Sequence, residues 1–243
     1  MTDREPRYFI VSDGRSGSSL LTSILGRAGA DFGLSIREQW DPASGANEVN
    51  GLRALSLAVD RAERMTFYQE ERLFGHLMAR TARSIAKRRA RRFLRHVRYT
   101  KASAYLAPYA YKLGYAPYVI ANYRRFGPLT RSKMLLQRMT WPRVAQQYEI
   151  TFRNSLVAIH TFGGCTVSFE ELVDPGETAW ADALAGTTGL DRDTLLRARD
   201  DLNIGAPAAE ETYSVDPRMD ALYDELRALK GMAVPPSRQF QRV

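Results

Sequence analysis

The feature that most constrains the fold is a short apolar segment followed at once by a loop of small residues and a helical pattern. Residues 8–11 are apolar, prone to β-structure and flanked by charge, which is typical of a buried strand. Residues 13–19 contain two glycines and three serines, and Leu20, Leu21, Ile24 and Leu25 then recur at helical spacing. A strand, a tight loop and a helix in immediate succession predict the start of an α/β domain.

Three further short apolar segments are typical of strands, and helical patterns separate them. The strand candidates span residues 97–100, 118–123 and 165–169, and helices are predicted at 51–96, 105–113, 129–139 and 144–162. Strands that alternate with helices favour a central, mainly parallel sheet flanked by helices. A length of 243 residues fits one large α/β domain or two small ones. Because no linker-like segment divides residues 1–243, we predict a single domain with a helical, basic insertion at about 51–96.

The loop at residues 13–19 has the composition of an anion-binding site. Gly14 and Gly17 let the backbone turn tightly and approach a ligand closely. The amides at the start of the following helix can hold a phosphate or sulfate, with hydroxyls from Ser18 and Ser19 and a cation from Arg15. The spacing is too short for a Walker A motif and no lysine follows the second glycine, which disfavours a Mg²⁺-dependent kinase or NTPase. The structural alternative is an ordinary turn after a strand.

The sequence Arg-Ser-Gly-Ser-Ser-Leu-Leu from Arg15 to Leu21, after an apolar strand, resembles the 5′-phosphosulfate loop of sulfotransferases. Those enzymes use 3′-phosphoadenosine-5′-phosphosulfate (PAPS). They also carry a strand that ends in Arg with a Ser eight residues later, as Arg124 and Ser132 stand here. Lys101 matches in part the lysine that ends another strand in bacterial members. Residues 166–175 resemble the late strand-to-helix signature of the family, which we interpret as architectural.

The resemblance implies a P-loop-like three-layer fold of the bacterial or carbohydrate-type branch, with PAPS as sulfuryl donor and PAP as product. It implies that Arg15 stabilises the bridging oxygen and that Arg124 and Ser132 hold the 3′-phosphate. We expect Ser132 in the first turn of the helix after Arg124, where its hydroxyl and the arginine can converge on one anion. No metal is needed. The C-terminal Gly-rich basic segment of the steroid and phenol enzymes has no match in residues 231–238. The expected donor site comprises Gly14, Arg15, Ser16, Gly17, Ser18, Ser19, Lys101, Arg124 and Ser132.

The acceptor hydroxyl also needs a general base. Family members place a His or Glu after the first helix, and Glu48 falls where many bacterial enzymes have a Glu. An exposed carboxylate at a helix start is the alternative for Glu48. His76 is the second candidate, with a packed or surface histidine in a Leu-rich helix as its alternative. His160 is expected at a helix C-terminus, where the dipole favours it.

The net charge of +8 belongs to one segment. Residues 80–101 contain ten basic and no acidic side chains, and the rest of the chain carries 25 basic and 27 acidic residues. Within the segment, apolar residues recur at spacings of three and four, so they lie on one side of a helix. A surface helix with solvated arginines is one interpretation. The others are attraction of an anionic acceptor such as a polysaccharide, or peripheral contact with an anionic membrane surface.

Several classes are disfavoured by what the sequence lacks. Cys165 is the only cysteine, which excludes internal disulfides and cysteine zinc clusters, and the three histidines form no metal motif. The few aromatics among the arginines disfavour nucleic-acid binding. The sequence has no apolar run of membrane-span length and its N-terminus is polar, so we expect a cytoplasmic protein. The expected partner is a small-molecule or glycan acceptor. The alternatives are another phosphate-loop transferase, such as a small-molecule kinase, or a non-catalytic protein that binds anions through residues 80–101.

Overall fold

The computed structural model describes residues 4–33, 35–36, 48–49, 55, 58–59, 73–202 and 216–237, with the backbone alone at 35–36, 48–49 and 73–79. The strands are β1 Pro6–Ser12, β2 Ser35–Ile36, β3 Glu48–Val49, β4 Tyr99–Lys101, β5 Ala116–Tyr123 and β6 Gly164–Ser168. The helices are α1 Ser18–Arg27, α2 Leu73–Leu94, α3 Leu106–Lys112, α4 Phe126–Gln137, α5 Trp141–Phe162, α6 Phe169–Val173, α7 Ala179–Thr188, α8 Arg192–Asp200 and α9 Pro217–Arg227.

Four of the strands form one parallel sheet in the order β4-β1-β5-β6. Each contains or overlaps a segment predicted from sequence, so the α/β prediction is confirmed. Tyr8 pairs with Tyr118 on β5 and with Tyr99 on β4, which places β1 inside the sheet. The short strands β2 and β3 pair antiparallel with each other, and β3 lies beside β4.

Side chains alternate between two hydrophobic cores, one on each face of the sheet. On β1, Phe9 and Val11 face the core that contains the buried residues of α2, α3, α4, α5 and α9. Tyr8 and Ile10 face the other core, with α1, α7 and α8. Helices therefore cover both faces, in a three-layer arrangement like that of P-loop proteins. Burial on both faces explains why β1 is a nearly continuous apolar run.

The helix after β5 begins earlier than its sequence pattern predicts. The expected helix at 129–139 is α4, Phe126–Gln137, because Phe126 packs in the core beside Leu129. Ser132 therefore lies in the second turn of α4, and the expected position in the first turn was wrong. The helix α5 likewise begins at Trp141, with a proline in its first turn, where the missing amide of proline leaves no hydrogen bond unmade.

The basic segment forms the described part of α2, which ends at Leu94. Ala86, Ala90 and Leu94, four residues apart, are buried against the core, as the apolar spacing predicted. Residues 51–72 of the predicted insertion lie largely outside the described residues. Within the described part of the chain, no helix has both the length and the apolar character needed to cross a bilayer.

The C-terminal segment contributes to the sheet. Val234 and Gly164 form an antiparallel bridge, in which each amide donates to the other residue's carbonyl at 2.7 and 2.9 Å. The amide of Ser237 donates to the carbonyl of Thr161. Val234 therefore lies beside the start of β6, in a segment, residues 231–237, that matches no part of the sulfotransferase pattern.

Candidate functional site

The predicted donor residues lie at the carboxyl ends of β1 and β5, two neighbouring strands from which the chain continues toward opposite edges of the sheet. From β1 the chain reaches β4 on one side, whereas from β5 it reaches β6 on the other. In open α/β sheets, the crevice outside the carboxyl ends of two such neighbouring strands is the usual ligand site. Residues 13–19 follow β1 and Arg124 follows β5, so both flank this crevice.

The loop after β1 has an unusual backbone. Gly14, Arg15 and Gly17 all have positive φ angles, of 66°, 59° and 83°. Among the described residues, Arg15 is one of two other than glycine with a positive φ angle, a conformation that disfavours residues with a Cβ. A Cβ on Gly17 would also lie 2.3 Å from the ring of Phe169, so only glycine fits there. Backbone strain of this kind is found at ligand-binding loops.

The start of α1 presents unpaired amides to the crevice. The amide of Leu21 donates to the carbonyl of Gly17, which begins the helical hydrogen-bond ladder. The amides of Ser18, Ser19 and Leu20 precede that bond and have no partner within the helix. No side chain caps the helix and its first turn holds no acidic residue. The positive end of the helix dipole and these amides together favour an anion.

Three side chains predicted from separate parts of the sequence converge beside the loop. Nε of Arg15 donates a hydrogen bond of 3.1 Å to Oγ of Ser132. Arg124 is half-buried, and burial lowers the pKa of its guanidinium; Glu170 opposes that change, and the positive charge of Arg15 adds to it. The ring of Phe169 contacts both Arg124 and Gly17, so Arg124 lies beside the loop that carries Arg15. Two neighbouring cations and a hydroxyl make a site suited to a doubly charged phosphate.

Phe169 connects the loop to Arg124 and was not predicted as a site residue. Its ring lies 4.4 Å from the guanidinium of Arg124 and also contacts Gly17. It begins α6, where Ser168 and Glu171 form a capping box. The interpretation of residues 166–175 as architectural therefore holds for Ser168 and Glu171 but is incomplete for Phe169. An aromatic residue directly after a strand at the ligand edge is the signal that could have identified it.

A buried ion pair joins the loop to α4. Nζ of Lys133 lies 2.8 Å from Oδ1 of Asp13, and neither side chain is more than 1% exposed. Burial raises the pKa of Asp13 to about 6, despite the opposing charge of Lys133. Burial also lowers the pKa of Lys133. Neither residue was predicted. The signal was available, since Lys133 lies four residues after Leu129 and so on the buried face of α4.

Two further contacts hold the loop to the sheet. Oγ of the buried Ser16 donates to Oδ1 of Asn122, and Nδ2 of Asn122 donates to the carbonyl of Val167. At the other side, Nζ of Lys101 donates to Oγ of Ser19 at 3.3 Å. The structure therefore places Lys101 beside the loop, on the side away from β5.

A cleft of about 370 Å³ opens next to Lys101 and the loop. Its walls come from the ends of β1 and β4 and from α5. The lining side chains are mostly apolar or carry hydroxyl and amide groups. They include Ser103, Tyr105, Thr151 and Asn154, of which Asn154 donates to the hydroxyl of Tyr105. This cleft has room for a small organic group beside the anion site.

The described atoms do not show a candidate general base at the loop. The backbone of Glu48 lies in β3, beside β4, but its side chain lies outside the described residues. His76 lies in α2, and its side chain is also outside the part of the chain that the structure describes. His160 lies in the last turn of α5 and is exposed, as predicted.

Two groups of anion-binding atoms therefore lie at this edge of the sheet. Amides without a partner in the helix lie at the start of α1, and Arg15, Arg124 and Ser132 lie beside the loop. In comparisons with known proteins, no protein-family model, curated protein or solved structure matches the chain.

Proposed function

We propose that the protein transfers a sulfuryl group from PAPS to a hydroxyl or amine of a small-molecule or glycan acceptor. The observation that carries this proposal is the convergence of Arg15, Arg124 and Ser132. The resemblance to sulfotransferases selected these residues from sequence alone, and Arg15 and Ser132 are 117 positions apart. Because β1 and β5 are neighbours in the sheet, the loop and α4 meet at one edge, and the contact between Arg15 and Ser132 joins two residues of the family pattern there.

The geometry supports a division of the donor between two subsites. The amides of Gly17, Ser18 and Ser19 bind the 5′-phosphate at the start of α1. Arg124 and Ser132 bind the 3′-phosphate, and Phe169 supports the guanidinium of Arg124. Arg15, which contacts Ser132, lies between these subsites and neutralises charge on the donor, including the bridging oxygen as the phosphate leaves. Lys101, beside Ser19, binds on the cleft side.

The reaction is a displacement at sulfur. The acceptor oxygen or nitrogen forms a bond to sulfur as the bond between sulfur and the bridging oxygen breaks, and PAP leaves with that oxygen. The acceptor proton passes to a base, for which Glu48 and His76 remain the proposed groups. By analogy with phosphoryl transfer, the protein mainly positions the partners and stabilises charge on the leaving oxygen.

The acceptor is proposed to enter the cleft beside Lys101. The cleft adjoins Gly14 and Ser18, so a ligand there would lie next to the transferring group. Its mixed apolar and hydroxyl lining favours an uncharged or weakly polar portion of the acceptor.

The direct test is donor binding followed by transfer. PAP should raise the thermal unfolding midpoint of the purified protein, since a ligand that binds only the folded state stabilises it. Radiolabelled sulfate should pass from PAPS to an acceptor in a mixture of candidate alcohols and glycans. Arg15→Ala should weaken both effects strongly, whereas Arg27→Ala, an exposed change at the end of α1, should weaken neither. If PAP does not shift the midpoint of the unmodified protein, the donor assignment is wrong.

Two other functions give different results in the same assay. A small-molecule kinase would be stabilised by ATP with Mg²⁺ rather than by PAP. A non-catalytic anion-binding protein is favoured by the exposed arginines of α2. It would bind its partner equally well after Arg15→Ala. We propose the sulfotransferase first because its expected donor residues come together from separate elements, whereas the arginines of α2 follow one another along one helix.

A further inference from the structure

Asp13 and Lys133 connect the donor loop to two helices, and the proposed reaction uses neither residue. Asp13 is the first residue after β1, and its carboxylate forms the buried ion pair with Lys133 on α4. Nζ of Lys133 also donates a hydrogen bond of 3.2 Å to Oε1 of Gln147 on α5. The loop, α4 and α5 therefore meet at a single buried ammonium group.

Stability does not account for this pair. Burial raises the pKa of Asp13 to about 6 and lowers that of Lys133, so at both residues the surroundings favour the neutral form. Oδ2 of Asp13 is buried and accepts no hydrogen bond from the described residues. Replacing both members of such a pair by well-packed hydrophobic residues is often without effect on stability, or stabilising. A role in placing the loop accounts for two charges buried at this point.

The neighbours of the pair indicate what it places. Lys133 directly follows Ser132, and Asp13 precedes Arg15 by two residues, so the ion pair runs alongside the contact between Arg15 and Ser132. The outer contact is exposed and consists of groups that would bind the donor, so a ligand can take its place. The inner pair is shielded from solvent and can persist when the donor is bound.

The same part of α5 also holds the second arginine. Gln147, which accepts from Lys133, precedes Tyr148. The hydroxyl of Tyr148 donates to the backbone carbonyl of Arg124 at 3.1 Å. One turn of α5 thus fixes both the ammonium group that holds the loop and the backbone that carries Arg124.

We propose that Asp13 and Lys133 are a positioning pair, which holds the loop against α4 and α5 so that both halves of the anion site face one ligand. The proposal rests on the proposed function, because the ligand that it concerns is PAP. Neither residue is catalytic, since both are enclosed by protein. Their effect is to limit the positions that the loop amides and Arg15 can take.

The first test removes both charges at nearly constant volume, with Asp13→Asn and Lys133→Met in one protein. The variant should remain folded but bind PAP on the order of 10- to 100-fold more weakly, because displaced groups bind poorly. Amides 14–20 should also exchange hydrogen faster in the variant without ligand. A folded variant with unchanged PAP affinity and unchanged exchange would overturn the proposal.

The second test uses the unmodified protein and applies if that variant does not fold. The titratable side chains that interact with Asp13 are Lys133 from α4 and Tyr148 from α5, in the described part of the chain. Acidification below about pH 6 protonates Asp13 and removes the ion pair. Exchange protection at residues 14–20 should then fall more than protection at α7, which serves as the control. An equal fall in both regions contradicts the proposal.

The two tests separate this proposal from the proposed function. If the unmodified protein does not bind PAP, the donor assignment fails, and loop exchange, which requires no ligand, still decides the role of the pair. If PAP binds, but removing the pair changes neither the hydrogen exchange of the loop nor the PAP affinity, only the positioning proposal fails.

Discussion

The loop at residues 13–19 and the helix α2 both present positive charge, but they hold it in different ways. At the loop, the cations come from separate elements, and each contacts a distant residue: Arg15 with Ser132, Arg124 with Phe169, Lys101 with Ser19. On α2, the basic side chains follow one another along a single helix and are exposed. The comparison shows that an excess of charge does not by itself locate an anion site. Convergence from different elements is the better guide, and the following experiments test that difference.

The largest effect is expected from Gly17→Ala. Its φ of 83° disfavours any Cβ, and the added carbon would lie 2.3 Å from the ring of Phe169. We expect the free energy of unfolding to fall by about 2 kcal/mol or more. PAP binding should be lost, because the loop and the platform under Arg124 must both move. Thermal unfolding and PAP titration measure the two effects.

Gly14→Ala is the matched control for that change. Gly14 also has a positive φ, of 66°, but nothing lies within 4 Å of the added Cβ. Only the backbone penalty of about 1 kcal/mol applies. Equal losses for the two variants would mean that contact with Phe169 is unimportant.

Substitution of the converging arginines comes second. Arg15→Ala and Arg124→Ala should each weaken PAP binding by about 10- to 100-fold, as expected for a lost charge-assisted hydrogen bond to phosphate of about 1.5–3 kcal/mol. Arg88→Ala and Arg92→Ala on α2 should leave the affinity within about twofold. Isothermal titration with PAP gives all four values. A loss from the α2 variants as large as that from Arg15→Ala would contradict the distinction between the two regions.

The pH dependence of stability comes third. The pKa of Asp13 is about 6 in the folded protein, above its ordinary value of 3.8, so between these pH values the folded state binds the proton more tightly. Stability from this group is therefore greatest in acid and falls as pH rises from about 4 to about 6. Denaturant unfolding of the unmodified protein across this range should show this fall.

The control for this measurement is the double variant Asp13→Asn/Lys133→Met. It lacks the titrating carboxylate, so its stability should decline less over the same pH range. Parallel curves for the two proteins would show that other groups cause the dependence.

The smallest effects are expected for the surface of α2. We propose that its exposed arginines contact an anionic membrane or glycan. Vesicles with phosphatidylglycerol should bind the protein in low salt, with a loss of about fivefold for each arginine replaced by glutamine near the surface. Arg27→Gln and Arg227→Gln, which are exposed elsewhere, serve as controls. Preference for a sulfated glycan over the vesicles would identify the other partner, and binding to neither would leave α2 as a solvated helix.

The strands of the sheet and much of the site could be predicted from the sequence because their signals are local. Buried strands such as β1 appear as apolar runs, and the loop of small residues marks the turn at its end. The family resemblance supplied Arg124 and Ser132, which no periodicity would indicate. Their proximity to Arg15 could only come from the structure, because it depends on how α4 packs.

The missed residues share a physical reason. Asp13 and Lys133 are charged, and charged residues are almost never fully buried unless they are paired. Helical spacing from Leu129 puts Lys133 on the buried face of α4, but a buried lysine is expected only with a partner, and Asp13 lies 120 positions away. Phe169 lies directly after a strand at the ligand edge, but packing was an adequate explanation for it, and its contact with Arg124 comes from the structure. The start of α4 was misplaced because Phe126 is isolated from the apolar pattern that begins at Leu129.

The bridge between Val234 and Gly164 has a consequence for how copies of this protein meet. An uncovered edge strand offers its amides and carbonyls to any neighbouring chain and so promotes sheet-to-sheet association. Here Val234 occupies the start of that edge on β6. The bridge therefore leaves fewer backbone groups at this end of β6 through which one molecule can join another.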